Sequence, residues 1–199
     1  MELSRRGLLA GVAGASALAL AGCADDPLAK QYKDGSGKNY VAGDGSISEY
    51  APADRGNPVK FNGATVDGGS FDSAAAVGKV VVVNFWYAGC APCRAEAPLL
   101  QQVHAASDSA NVAFVGVNVR DQAETARPFE ESFGVTYPSI VDVNTGNAQL
   151  AFAGKIPPAA VPTTLVLDRK GRVGARVLGQ VESASILTAL IDRLVAEPA

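Results

Sequence analysis

The residues best suited to chemistry in this 199-residue chain are two cysteines spaced as Cys90-Ala91-Pro92-Cys93. Disulfide exchange needs two thiols close enough to close a ring, one of them exposed and held as a thiolate. A pair at the start of a helix meets both needs. Unpaired amide groups and the helix dipole favour negative charge at Cys90, and Cys93, one turn further on, can attack a mixed disulfide formed there. Pro92 suits that first turn, where its missing N–H costs nothing. A zinc knuckle is the competing reading, but a structural zinc site takes four ligands. The sequence has no second Cys-x-x-Cys pair, and its single histidine, His104, falls on the same helix. No metal is expected, and no cofactor beyond a redox-active Cys90–Cys93 disulfide.

The elements that would position the pair follow from hydrophobic pattern. Val80 to Tyr87 is a continuous apolar run rich in β-branched and aromatic residues, the mark of a central strand buried on both faces. It leads straight into the cysteines, and residues 91–107 read as a helix interrupted by Pro98. Asn111 to Arg120 reads as a second buried strand, Gln122 to Phe133 as a helix, and Ser139 to Val143 as a short edge strand. A short helix is expected near Ala148–Phe152, and a Gly-rich hairpin at Thr65–Phe71. Thr163–Leu167 and Val173–Leu178 form a strand pair across the turn Asp168–Gly171, and Ser183–Ala196 an amphipathic helix with Ile186, Leu187, Leu190, Ile191 and Leu194 on its apolar face. This order predicts an α/β fold with a central mixed sheet flanked by helices on both faces. A Cys-x-x-Cys between a buried strand and a helix is a far stronger signal than the motif alone.

The rest of the chain sets the compartment. Two arginines, Arg5 and Arg6, precede a run of 14 apolar or small residues, Leu8 to Ala21. As a helix that run spans roughly 21 Å, short of the ~30 Å hydrocarbon core, so it reads as an export signal of twin-arginine type. It ends in Leu20-Ala21-Gly22-Cys23, a lipobox in which Cys23 would carry the lipid. That leaves Cys90 and Cys93 as the redox-capable pair, on the outer face of the membrane, where disulfides persist. The expected organisation is therefore an export signal over 1–22, a tether over 23–57 rich in Gly, Asp and Ser, and a folded domain over 58–199. Within the tether a short strand is expected around Tyr40-Val41 or Ile47–Tyr50. At 48% hydrophobic residues the chain is too apolar to be disordered, and a net charge of −3 leaves no basic surplus for nucleic acid.

The segment Val82 to Pro98 resembles the active site of thioredoxin-fold proteins, in particular the TlpA/ResA-like membrane-anchored thiol–disulfide oxidoreductases, which read roughly V-N-F-W-A-x-W-C-x-P-C-R-x-E-x-P. Ala160-Val161-Pro162-Thr163-Thr164-Leu165-Val166-Leu167-Asp168 is similar to that family's second motif, a loop bearing a cis-proline that faces the cysteines. An ordinary X–Pro bond is cis only about 5% of the time, so the expectation of cis at Val161–Pro162 comes from the resemblance. The likeness extends over about residues 58–197 and implies a thioredoxin-like fold. It implies Cys90 as the attacking nucleophile and Cys93 as the buried resolving thiol. Pro162 and Val161 would line the groove for the substrate backbone, bordered by Ala91, Pro92 and Thr163. Trp86 would lie beneath the loop, as a substrate-site wall or as plain core. Glu96 is either a carboxylate that tunes the thiols or a solvated helix residue paired with Arg94. Asn84 stands where cytoplasmic thioredoxins carry a buried aspartate, so any proton relay needs another group. Arg94 and His104 read as helix surface. Gly89 departs from the family, which has Trp before the first cysteine.

Four functions compete. The resemblance implies a monomeric, lipid-anchored reductase that draws electrons from a membrane thiol donor and reduces disulfides in protein substrates, apocytochrome c Cys-x-x-Cys-His among them. The same thiols run backwards would form disulfides in exported proteins; reduction potential decides. A copper chaperone on this fold uses Cys-x-x-x-Cys and a histidine from a separate loop, and a peroxidase uses a lone cysteine in a Thr-x-x-Cys setting. Neither pattern is present.

Overall fold

The computed structural model describes residues 46–154 and 160–198; the export signal, Cys23 and the tether through residue 45, with the strand expected at Tyr40-Val41, lie outside them. Its main sheet has six strands in the order β1-β8-β7-β4-β5-β6. These are β1 Ser46–Glu49, β4 Val80–Trp86, β5 Val112–Asn118, β6 Ser139–Val141, β7 Thr163–Leu167 and β8 Val173–Leu178, and a separate hairpin pairs β2 Asn62–Ala64 with β3 Ser70–Asp72. Strands β4, β5 and β6 run parallel, while β7 and β8 add antiparallel, so the sheet is mixed as its pattern predicts. β1 pairs with β8 in the register Ile47↔Val177, which places the short strand expected around Ile47 on the sheet edge.

β4 sits at the centre, every residue of it buried. Side chains alternate along a strand, so Val80 and Val82 face one side, while Val81, Val83 and Phe85 face the other. The first side is covered by α1 (Ala91–Ala106) and α4 (Ala184–Val195), through Leu100, Val103, Leu187, Leu190, Ile191 and Leu194. The second is covered by the β2–β3 hairpin and by α3 (Asn147–Ala151), through Phe61, Ala148 and Phe152. Each such fully buried Leu or Phe contributes about 1.5–3 kcal/mol relative to leaving it in water. α2 (Ala123–Phe133) sets Ala126 and Phe129 against Trp86 and Ala97, and stops at Gly134, whose φ of 64° is left-handed.

Two expectations need correction. α1 runs through Pro98 without interruption. Proline removes one intrahelical bond, but Ala97, Leu100 and Val103 are packed on both sides of it, and tertiary packing outweighs that local cost. Ile186 is 41% exposed. The buried stripe of α4 runs instead through Leu187, Leu190, Ile191 and Leu194, and Ile186 lies outside it.

Candidate active site

The end of β4 and the start of α1 place Cys90 as the N-cap of α1, with Pro92 in the first turn. Its Sγ accepts the Cys93 N–H at 3.2 Å and is bonded to Cys93 Sγ in a disulfide, the two Cα atoms 5.2 Å apart. A sulfur held against an amide at a helix N-terminus is stabilised as an anion once the disulfide opens. Ala91 is exposed and Pro92 half-buried beside it. Cys90 itself is 0% exposed, against the expectation of an open thiol, because the disulfide turns its sulfur toward Cys93 within a cluster that holds Tyr87 and Val161.

The Val161–Pro162 peptide bond is cis. Val161 shares that buried cluster with both cysteines, so the second motif is brought to the first across the β4–β7 pairing, in which Phe85 lies opposite Thr163. Thr163 does not border an open groove. It is fully buried, and its hydroxyl donates to the Ala160 carbonyl at 2.9 Å, which ties down the loop that carries Pro162. Trp86 likewise is buried and stacks on Phe129 with ring centroids 4.4 Å apart. It supports the loop from beneath and offers no surface to a substrate.

Glu96 lies one turn after Cys93 on the same buried side of α1. It is 1% exposed, so the solvated reading fails. Asn84 Nδ2 donates to its Oε1 at 2.8 Å and the Val181 N–H to its Oε2 at 2.8 Å. Desolvation pushes the carboxyl up to about 8, and the two hydrogen bonds only partly oppose that. Asn84 also donates to Thr164 Oγ1 at 3.1 Å, which ties β4, β7 and α1 together under the cysteines. Arg94 stays on the surface, over the Phe133 ring at 5.1 Å, and does not pair with Glu96. His104 is half-buried against Phe114 and Tyr137, and burial lowers its pKa.

A group of residues that the pattern did not single out sits at the C-terminal end of β5, where Asn118 pairs with Trp86 of β4. Asp121 Oδ2 accepts the Ala88 N–H at 2.6 Å and Asn118 Nδ2 at 2.9 Å. The Arg120 guanidinium lies 4.3 Å from the centre of the Tyr87 ring. The signal available was positional, because groups at the carboxyl ends of adjacent parallel strands converge on one site.

The AhpC/TSA family profile matches residues 56–176. The chain is 33% identical to the thiol:disulfide interchange protein HelX of Rhodobacter capsulatus over 146 residues, 73% of this chain and 75% of HelX. It is 30% identical to the thiol-disulfide oxidoreductase ResA of Geobacillus thermodenitrificans over 109 residues, 55% of this chain and 60% of ResA. Among solved structures, a DsbF homologue from Corynebacterium diphtheriae matches with a TM-score of 0.66 at 37% identity, covering 74% of this chain and 92% of that one. With the fold, the cysteine pair and the cis-proline loop in place, the chain belongs to the AhpC/TSA family, on a thioredoxin-like fold.

Proposed function

We propose that this protein is an extracytoplasmic thiol–disulfide oxidoreductase that works as a reductase of protein disulfides, anchored to the membrane through a lipid on Cys23. The observation that carries the reading is the Cys90–Cys93 disulfide at the start of α1, packed with Val161 of the cis Val161–Pro162 loop. In the forward reaction the reduced Cys90 thiolate attacks one sulfur of a substrate disulfide. That bond breaks, a mixed disulfide forms, and the first substrate thiol leaves with a proton. Cys93 then attacks Cys90 Sγ and releases the second substrate thiol, and the two electrons that reduce the substrate leave a Cys90–Cys93 disulfide behind. Glu96, protonated at neutral pH in its buried setting, is suited to exchange a proton with Cys93 as that thiol changes state. The backbone of Val161 and Pro162 aligns the substrate chain, and a membrane thiol donor restores the dithiol. The names of the relatives, a thiol-disulfide oxidoreductase and a thiol:disulfide interchange protein, support the exchange chemistry, and apocytochrome c cysteine pairs are the substrate class we propose from the resemblance of the Val82–Pro98 segment. Among the described residues no helix is long and apolar enough to cross a membrane.

Equilibrating the domain against glutathione or dithiothreitol buffers gives the reduction potential of the pair. A value at or below about −250 mV, near that of thioredoxin, is expected of a reductase, whereas about −120 mV marks a disulfide-forming oxidase. The higher value overturns the haem-maturation reading and assigns exported proteins as substrates. Labelling with a lipid precursor, lost in Cys23→Ala, tests the anchor.

A further inference from the structure

The segment that carries Cys90 has an internal weakness. Gly89, directly before the nucleophile, has no side chain to pack and is exposed. Its φ lies outside the left-handed region, so the conformation does not require glycine. The residue therefore adds backbone freedom where the attacking sulfur must be held still. The neighbouring turn supplies what Gly89 lacks. Asn118, fully buried at the end of β5, accepts the N–H groups of Arg120 at 3.0 Å and Asp121 at 2.7 Å through its Oδ1, which folds residues 118–121 into a fixed turn. Three successive residues of that turn hold three successive residues of the active-site loop. Val119 N–H donates to the Trp86 carbonyl at 3.1 Å. The Arg120 guanidinium covers the Tyr87 ring. Asp121 takes the Ala88 N–H at 2.6 Å, and Asn118 fixes the same carboxylate oxygen from behind. Tyr87 in turn fills the space next to position 89, where a Cβ would lie 3.4 Å from its Cε2. The Tyr87 carbonyl accepts the Cys90 N–H at 3.1 Å, so the chain of contacts ends on the nucleophile itself.

We propose that the turn Asn118–Asp121 is a clasp that orients Cys90 for attack, with Asp121 as its positioning residue through the Ala88 amide. The proposal rests on the thiol-exchange reading above and is independent of the direction in which electrons flow. The carboxylate acts by geometry: it accepts two hydrogen bonds and touches neither sulfur nor substrate.

The test isolates the first chemical step. In a Cys93→Ser background, Cys90 thiolate attacks oxidised glutathione; the glutathione S–S bond breaks, Cys90 becomes glutathionylated, and one glutathione thiolate leaves. The rate is followed by mass spectrometry. Adding Asp121→Ala is expected to slow this step about tenfold, within the ~100-fold that a misplacement remote from the chemistry can cost. Asp121→Asn, which keeps an oxygen to accept both bonds, should stay within about twofold of the parent. Gly89→Ala, by stiffening the backbone, should return about threefold of the loss to Asp121→Ala. Arg120→Ala, a change at an exposed side chain, should slow the step by about threefold. Melting of each oxidised two-cysteine variant separates misplacement from unfolding. If the parent itself forms no mixed disulfide, the exchange reading fails. If it does and Asp121→Ala and Arg120→Ala are as fast, or Asp121→Asn is as slow as Asp121→Ala, the clasp is wrong.

Discussion

Burial turns Glu96 into a group that holds its proton at neutral pH, with titration pushed up to about 8 from an ordinary 4.5. The sign of the consequence for stability follows from proton counting. Between those two values the folded chain binds more protons than the unfolded one, so this group's contribution is complete below pH ~4.5 and is lost as pH rises through ~8. In Glu96→Gln that slope vanishes, and the Gln oxygen can still accept from one of Asn84 or Val181. The wild type should therefore lose stability relative to Glu96→Gln by on the order of a few kcal/mol between about pH 5 and pH 9, read from urea titrations at fixed temperature. Parallel slopes for the two proteins would mean that the carboxyl is ionised in the fold. The spacing of Glu96 after Cys93 was visible in the sequence, and so was the choice between a tuning and a solvated role. What rules out the solvated role is burial, at 1% exposed, against Asn84 and an amide 85 residues away, at Val181. No local pattern encodes that contact.

Strand β5 shows how an element without chemistry holds one that has it. Gly116 pairs with Asn84 of β4 on one side and Ser139 of β6 on the other. A Cβ there would come within 2.3 Å of Ser139 Oγ and 2.7 Å of Trp86 Nε1. Both neighbours are buried, Ser139 Cβ would itself lie 3.0 Å away, and Trp86 is stacked on Phe129, so the site has little room to give. Gly116→Ala should cost about 1–3 kcal/mol, the usual range for overpacking, and should displace the indole beneath the cysteines. Thermal melting gives the first effect, and a changed Trp86 fluorescence on reduction of the disulfide the second. An unshifted melting temperature would mean that β6 moves as a rigid piece to make room. The strands themselves were legible, because continuous β-branched runs have few alternatives. Helix details were less so. Pro98 predicted an interruption that packing through Leu100 overrides, and Ile186 matched the apolar period of α4 yet faces water, since which side of a helix is covered depends on the partner. Thr163 fell to the same cause: the motif placed it beside the substrate, whereas the sheet buries it, and Trp86 takes the plain-core alternative of its two readings.

The molecule as a whole is fastened from the segment that leads into its domain. Arg55 is buried, donates through Nε to the Tyr50 carbonyl at 2.9 Å, and pairs with both Asp168 and Glu197. Asp168 meanwhile binds Arg172 and accepts the amides of Lys170 and Arg172 in the β7–β8 turn. Three distant stretches, the segment after β1, the β7–β8 turn and the C-terminal end, thus meet at the Arg55 guanidinium. Gly- and Ser-rich composition hid this, because residues 46–57 read as tether and Arg55 lies 113 residues from its partner. The exposed pair of Arg193 with Glu49 adds little, since both groups remain in water. Asp168 differs. Burial alone would raise it, but the hydrogen bonds from Arg172 and Arg55 outweigh burial and hold the carboxyl below its ordinary 3.8. Its contribution is present above that ordinary value and is lost as pH falls through the lowered one. Arg55→Ala removes one of two cations from a buried carboxylate, so it should cost about 2–3 kcal/mol, less than the ~3–5 kcal/mol of breaking a lone buried pair. The variant should also unfold less steeply with acid below about pH 4, because less of the Asp168 shift remains to be lost. Urea titrations at neutral and acid pH measure both. A neutral-pH cost with unchanged acid steepness would assign the carboxylate's stabilisation to Arg172 and the turn amides alone, leaving Arg55 to act through Tyr50 and Glu197.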